Sequence, residues 1–77
     1  MQGLTTDAER GNTLSPRERQ ILVMVASGKS SAAIGEELHL SPKTVDTYRA
    51  RIMEKLNLHH RSELVRFALR TGLLKAE

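Results

Sequence analysis

The chain has 77 residues and no cysteine, and its 12 Lys and Arg residues against 9 Asp and Glu residues give a net charge of +3. This length allows one small domain with a thin core, and the missing thiols exclude a disulfide framework and a thiolate metal site. No segment approaches the roughly 20 apolar residues of a membrane-spanning helix, and a cytoplasmic setting agrees with the lack of cysteine. The positive charge permits an anionic partner, provided that it is concentrated on one surface.

The first 13 residues show no helical pattern. They contain two glycines, lack a repeating apolar spacing and carry Asp7 and Glu9 against Arg10, which makes them slightly acidic. Such a composition predicts a tail or an interdomain linker at 1–13, ahead of a single domain at 14–77.

A capping box predicts the first helix. Ser15 precedes Pro16, and Glu18 follows three residues after the serine, which together mark a helix start. Gly28 marks the end, since glycine is common just after a helix. The apolar spacing predicts four buried side chains: Ile21, Leu22, Val25 and Ala26.

A second, short helix is predicted to begin near Ser30 or Ser31. It should end around His39, because Pro42 pushes Ser41 out of the helical region. Its inner face is expected to carry Ala33, Ile34 and Leu38.

Two further helices complete the pattern. Ser41 and Pro42 repeat the cap and proline, so the third helix should run to about Asn57, and a fourth should run from about Arg61 to Thr71. The expected inner residues are Val45, Tyr48 or Arg49, Ile52 and Leu56 in the third helix, and Leu64, Val65, Ala68 and Leu69 in the fourth. After a stop at glycine 72, two leucines at 73 and 74 are expected to fold back on the core. No segment alternates with the period of a β-strand, so the predicted fold class is all-α with four helices.

Only about three residues, 39–41, separate the second helix from the third, which is the spacing of a helix-turn-helix. Such a pair needs a small residue at the helix crossing, a hydrophobic residue in the turn and another inside the next helix. Gly35, Leu40 and Val45 meet these needs in that order. An ordinary helical hairpin has the same needs, so the spacing alone leaves both interpretations open.

The outward face of the third helix favours DNA contact. At 100° per residue from Val45, this face carries Lys43, Thr47, Ala50, Arg51 and Glu54, with Asp46 on its flank. A helix enters the major groove when its side chains are short, and Thr and Ala can contact a thymine methyl group. Residues 41–57 and 58–77 each carry a net charge of +2, whereas residues 1–15 carry −1. The alternatives are an ordinary solvent-facing role for Thr47 and Ala50 and a solvated surface charge for each basic residue. Arg66 and Arg70, which belong to the predicted fourth helix, fit the second alternative.

Taken together, these residues resemble the LuxR/FixJ-type DNA-binding domain, and most closely the FixJ and NarL class of response-regulator effector domains. The resemblance covers about residues 14–74 and rests on LSPRERQIL at 14–22, GKS at 28–30, LSPKTV at 40–45, KL at 55–56 and GLL at 72–74, with Ile34, Leu38, Tyr48, Ile52 and Arg61. It implies a tetrahelical helix-turn-helix, at about 31–50, in a cytoplasmic bacterial transcription regulator without a cofactor. The implied partners are a pseudo-palindromic double-stranded DNA operator, a second copy of the chain on DNA, a receiver or sensor domain on the N-terminal side and RNA polymerase.

The resemblance also implies roles for individual positions. The base-reading residues would be Asp46, Thr47, Ala50 and Arg51. The phosphate-binding residues would be Lys29, Ser30, Ser31, Lys43, Thr44, Tyr48, Arg49 and Lys55. The dimer contacts, largely on the fourth helix, would be Arg61, Leu64 and Leu69.

Three departures from the family pattern bear on these roles. Ser31 and Ala32 stand where many members have Asn and Lys, so one phosphate contact is lost or moved. Asp46 stands where many have lysine, and an acid repels phosphate but can accept a hydrogen bond from a cytosine amino group. Gly35 replaces a common alanine, which should cost roughly 1 kcal/mol of helix propensity.

Other functions stay open on the residues alone. An enzyme would need a cluster of catalytic groups, which Glu18, Glu36 and Glu37 do not form in the predicted helices, and no catalytic residue is expected. His59 and His60 are adjacent, which disfavours joint metal coordination, so no metal is expected. A protein-only interaction module of the same fold and a region of a sigma factor, which uses a similar helix pair, are the remaining alternatives.

Overall fold

The computed structural model describes residues 13–74, which form four α-helices and no β-strand. In chain order they are α1 (Pro16–Ala26), α2 (Ser31–Leu38), α3 (Pro42–Leu56) and α4 (Arg61–Arg70). The predicted all-α, tetrahelical fold is confirmed. Apart from Thr13, the predicted tail lies outside the described residues.

Serine caps start the first three helices where the sequence predicts them. Ser15 Oγ accepts a hydrogen bond of 3.1 Å from the Glu18 N–H, and Glu18 Oε1 accepts one of 2.8 Å from the Ser15 N–H. Ser30 and Ser41 each accept a bond of 3.1 Å from the N–H three residues ahead. These bonds satisfy N–H groups that a helix start leaves without a partner.

One contiguous core joins the helices. Both α3 and α4 pack against α1, and α2 packs chiefly on α3. The largest fully buried side chains are those of Ile21, Leu22, Val25, Ile34, Val45, Ile52, Leu56 and Phe67. Tyr48 and Arg49, the alternatives predicted for one position, are both half-buried.

Two of the predicted inner positions are wrong. Ala33 is exposed, because the buried side of α2 passes through Ile34 and Gly35, and Ala33 lies about 200° from Gly35 around the helix. On α4 the buried stripe runs through Leu64, Phe67 and Ala68, so Leu69 is turned outward and is 40% exposed.

A tight turn joins α2 to α3. His39 ends α2 in the left-handed conformation with φ 60°, and the Leu40 N–H donates a bond of 2.8 Å to the Gly35 carbonyl. A Cβ atom at Gly35 would lie 2.4 Å from the Leu40 carbonyl oxygen. An alanine at this crossing would therefore force the Leu40 backbone to shift, and this steric cost offsets the gain in helix propensity.

The C-terminal end folds back on the core as predicted. Gly72 turns the chain with φ 80°, and the Leu74 N–H donates a bond of 2.9 Å to the Ala68 carbonyl. Leu73 and Leu74 are half-buried against the core. Among residues 13–74, no helix has both the length and the apolar character to cross a membrane.

Candidate nucleic-acid interface

The side of α3 that faces solvent is the surface predicted from the sequence. Val45, Ile52 and Leu56 fix the opposite side of α3 in the core. The exposed side carries Lys43, Asp46, Thr47, Ala50 and Arg51, here called the α3 face. Since its N-terminal half has short side chains, a groove about 12 Å wide could admit it.

Hydroxyl groups surround the N-terminus of α3. Ser41 Oγ caps the helix and donates a bond of 2.9 Å to Thr44 Oγ1, which leaves the Thr44 hydroxyl proton for another acceptor. The positive end of the helix dipole lies at the same place. Lys43 is exposed there and forms no ion pair with any residue in 13–74. A phosphate group fits this arrangement of donors.

Thr47 is constrained by its own helix. Its Oγ1 donates a bond of 3.1 Å to the Lys43 carbonyl. Because the hydroxyl proton is used in this way, the side chain presents a methyl group and acceptor lone pairs to solvent. Ala50 adds a second methyl group one turn further along the α3 face.

The C-terminal part of the α3 face carries an Arg51 held over an aromatic ring. The guanidinium carbon lies 5.7 Å from the centroid of the half-buried Tyr48 ring, which is within the range of a cation–π interaction. Arg51 makes no ion pair with the described residues. The charge of this arginine is therefore available to an anion.

Three of the four cations predicted to bind phosphate, Lys29, Arg49 and Lys55, lie within ion-pair distance of acids. Lys29 Nζ lies 2.7 Å from Glu37 Oε1, and both side chains are about half exposed. Such an exposed pair contributes roughly 0–1 kcal/mol and opens easily.

The Lys55 pair differs because its acid is buried. Lys55 Nζ donates a bond of 2.8 Å to Glu18 Oε1, and Glu18 is only 3% exposed. The hydrogen bond from Lys55, helped by the N–H of Ser15, lowers the pKa of Glu18 below its ordinary value. Lys55 thus ties α3 to the start of α1, and removing it would leave a carboxylate buried without a cation.

Three polar residues link the start of α2 to the α3 face. Ser31 Oγ donates a hydrogen bond to Asp46 Oδ1 and accepts one of 2.9 Å from Arg49 Nη1. Arg49 Nη1 also lies 4.0 Å from Asp46 Oδ1. Asp46 stays 65% exposed, whereas Arg49 is 37% exposed.

The residues predicted for a dimer contact are not all at the surface. Leu64 is 4% exposed and belongs to the core of one chain. Leu69 is the exposed large hydrophobic residue among those described, and the exposed Arg61 donates a bond of 3.3 Å to the Val25 carbonyl. In the region 13–74, no three His, Asp or Glu side chains are placed to hold a metal ion.

Two interhelical polar contacts between side chains were not predicted from the sequence. Glu18 and Lys55 are 37 positions apart, and no local pattern connects them. Ser31 and Asp46 did carry a signal, since both depart from the family pattern, but the sequence did not indicate that the two departures touch.

Comparison with known proteins identifies similar chains. A model of the family described as "Bacterial regulatory proteins, luxR family" matches residues 12–68. The response regulator UvrY of Escherichia coli K12 is 49% identical over 65 residues, which are 84% of this chain and 30% of UvrY. The transcriptional regulatory protein FixJ of Bradyrhizobium diazoefficiens is 45% identical over 67 residues, which are 87% of this chain and 33% of FixJ.

A solved structure matches as well. The crystal structure of full-length FixJ from B. japonicum has 44% sequence identity and a TM-score of 0.77, and the match covers 88% of this chain and 34% of that chain. The present chain therefore spans about a third of the length of the relatives it matches.

Proposed function

We propose a DNA-binding function for this chain, which belongs to the luxR family of bacterial regulatory proteins. The family match and the similarity to UvrY and FixJ confirm the resemblance predicted from the sequence. The proposed activity is sequence-dependent binding of double-stranded DNA in transcription regulation, with α3 in the major groove. The observation that carries it is the α3 face, which is exposed and has short side chains between two cations, Lys43 and Arg51, that pair with no described acid.

Each part of the α3 face has a role in this proposal. Lys43 and the Thr44 hydroxyl bind phosphates beside the helix N-terminus, and Arg51 binds the backbone or a base edge further along. Thr47 and Ala50 lie between them and contact base edges and thymine methyl groups. The N-terminus of α2, which Ser30 caps, supplies a second binding position for a neighbouring phosphate.

Selection of bound duplexes from a random library tests the proposal. The wild-type chain should enrich a defined sequence, and Ala50→Glu should abolish that enrichment while its circular dichroism stays native, because position 50 is exposed. Gln20→Glu adds the same negative charge at an exposed position of α1 and should bind like the wild type. If the wild-type chain showed no saturable duplex binding, a protein-only interaction module would be the better interpretation.

We infer further that the chain binds its operator as a homodimer. Leu69 is a large exposed hydrophobic residue one helical turn after the half-buried Val65, which supports a contact along α4. A two-fold dimer would read two half-sites about one helical turn apart, in a pseudo-palindromic operator.

The dimer has a separate test. Leu69→Glu should leave binding to a duplex with one half-site unchanged and should remove the gain in affinity from a second half-site. Gel mobility shifts with the two duplexes measure both quantities. Equal cooperativity in the variant and the wild type would place the dimer contact elsewhere.

The names of the relatives support a biological role for the proposed DNA binding. UvrY is a response regulator and FixJ a transcriptional regulatory protein, so we propose that the chain is the output part of a response regulator that controls transcription in the bacterial cytoplasm, with RNA polymerase as a further partner. A reporter gene under the selected operator, with and without the Ala50→Glu substitution, tests this role.

A further inference from the structure

The contact between Ser31, Asp46 and Arg49 orders a carboxylate on the α3 face. The Ser31 hydroxyl uses its proton on Asp46 Oδ1 and its lone pair on Arg49 Nη1, at 2.9 Å. One hydroxyl group thereby bridges an acid and a base whose nearest atoms are 4.0 Å apart. The Ser31 hydroxyl thus has both an acceptor and a donor partner, which favours one arrangement of the three side chains.

Arg49 is confined by this arrangement. Its side chain is 37% exposed and lines a pocket of about 70 Å³ with Val25 and Met53. The guanidinium is directed to Ser31 across the α2–α3 crossing. Its charge therefore compensates Asp46, and Arg49 is a poor candidate for a phosphate contact.

Asp46, in contrast, keeps an acceptor for a ligand. The side chain is 65% exposed, and Oδ2 takes no hydrogen bond from the residues described here. An uncompensated acid on this surface would be repelled by DNA phosphates. The Arg49 guanidinium 4.0 Å away offsets part of this charge, and the hydrogen bond from Ser31 orients the carboxylate.

We propose that Asp46 is a specificity-determining residue that accepts a hydrogen bond from a cytosine amino group in the major groove, and that Ser31 and Arg49 are its positioning residues. This inference rests on the proposed DNA-binding function. It assigns Ser31 and Arg49 to the control of sequence preference, whereas the resemblance had implied that they bind phosphate.

The chemistry of the base edges favours cytosine. Guanine presents O6 and N7 and thymine presents O4, all acceptors that repel a carboxylate. Adenine offers an amino group, but its N7 acceptor lies beside that group. Cytosine presents its N4 amino group as the donor and no acceptor of its own in the major groove.

Duplex selection with matched variants tests the assignment. The wild-type chain should prefer cytosine at one position of each half-site by about five- to tenfold, the lower end of the range for a base contact. Asp46→Asn should lose this preference at that position alone, and should bind all duplexes somewhat more tightly because one negative charge is removed. Ser31→Ala and Arg49→Gln should lose the same preference, whereas Ser31→Thr, which keeps a hydroxyl, should retain most of it.

A double-variant measurement separates positioning from a structural role. If Ser31 acts through Asp46, Ser31→Ala should have no further effect on the cytosine preference in an Asp46→Asn background. Thermal unfolding of each variant checks that the fold is kept.

Two outcomes would overturn the inference while leaving DNA binding intact. One is a uniform loss of affinity in Ser31→Ala or Arg49→Gln with the cytosine preference unchanged, which is the behaviour of phosphate contacts. The other is an adenine or no base preference at the position that Asp46→Asn affects. Failure of the wild-type chain to bind any duplex would instead overturn the proposed function itself.

Discussion

Replacing Gly35 with alanine tests whether the crossing of α2 and α3 requires a residue without a side chain. The added Cβ would lie 2.4 Å from the Leu40 carbonyl oxygen and 3.5 Å from the Pro42 nitrogen. Both neighbours are backbone atoms, so no side-chain rotation relieves the contact. The turn has to move by about 0.6 Å to restore a separation of 3.0 Å.

Two effects of opposite sign set the change in unfolding free energy caused by Gly35→Ala. Helix propensity favours alanine over glycine by about 1 kcal/mol. Overpacking against backbone costs about 1–3 kcal/mol, and moving residue 40 also weakens its 2.8 Å hydrogen bond to the Gly35 carbonyl, a contribution of about 1 kcal/mol. The Gly35→Ala variant should therefore lose about 1–3 kcal/mol of unfolding free energy, which lowers Tm by roughly 4–24 °C in a domain of this size.

Thermal and urea unfolding followed by far-ultraviolet circular dichroism measure this difference. Ala33→Gly is the matched control, because Ala33 is exposed on the same helix and reports helix propensity with little packing. It should cost about 1 kcal/mol. If Gly35→Ala raised stability by as much as Ala33→Gly lowers it, the steric reasoning about the crossing would be refuted.

Three further predictions concern a carboxylate, two left-handed residues and a base contact. The Lys55 hydrogen bond lowers the pKa of Glu18 below its ordinary value of 4.5. The contribution of the ionised Glu18 to the free energy of unfolding should therefore be complete above about pH 4.5 and should be lost as the pH falls below that value. Glu18→Gln should flatten this part of the acid unfolding curve. His39→Gly should raise the unfolding free energy by about 0.5–1 kcal/mol in urea titrations, since a left-handed histidine is strained, whereas Asn57→Gly should change it by only a few tenths. In mobility-shift assays, Thr47→Val should keep operator affinity within about twofold, because the hydroxyl proton already bonds within α3 and valine keeps the methyl group. Thr47→Ala, which removes that methyl group, should lower affinity about five- to tenfold.

Local sequence signals predicted the helices well. The serines at 15, 30 and 41 each have a side-chain oxygen within reach of an N–H three residues ahead, so the cap depends on neighbours in the chain and can be predicted from them. The same holds for the end of α2 at His39, which the following proline enforces. The outward face of α3 followed from helix periodicity, once Val45 was placed in the core.

Features that depend on the docking of helices could not be predicted in this way. Leu69 and Phe67 are both reasonable inner residues for α4, and only the position of α1 decides that the aromatic ring is buried. The Lys55 and Glu18 pair depends on the crossing of α1 and α3, which sequence spacing does not encode. Ser31 and Asp46 likewise appeared in the sequence as two separate departures from the family pattern. Only the docking of α2 on α3 brings them into one hydrogen-bonded contact.

The dependence of DNA affinity on salt concentration should show whether Lys29, Arg49 and Lys55 stay paired with their acids in the DNA complex. Five cations lie on or beside the α3 face of each chain: Lys29, Lys43, Arg49, Arg51 and Lys55. Lys43 and Arg51 pair with no described acid, and the exposed pair of Lys29 should open beside a phosphate. Lys55 should stay with the buried Glu18, and the positioning role proposed for Arg49 requires it to keep its hydrogen bond to Ser31. If the chain binds as the proposed dimer, about six phosphates are neutralised, and the slope of log affinity against log salt should be about −5. A slope near −9 would mean that all ten cations of the dimer reach phosphates, which would contradict the positioning role of Arg49.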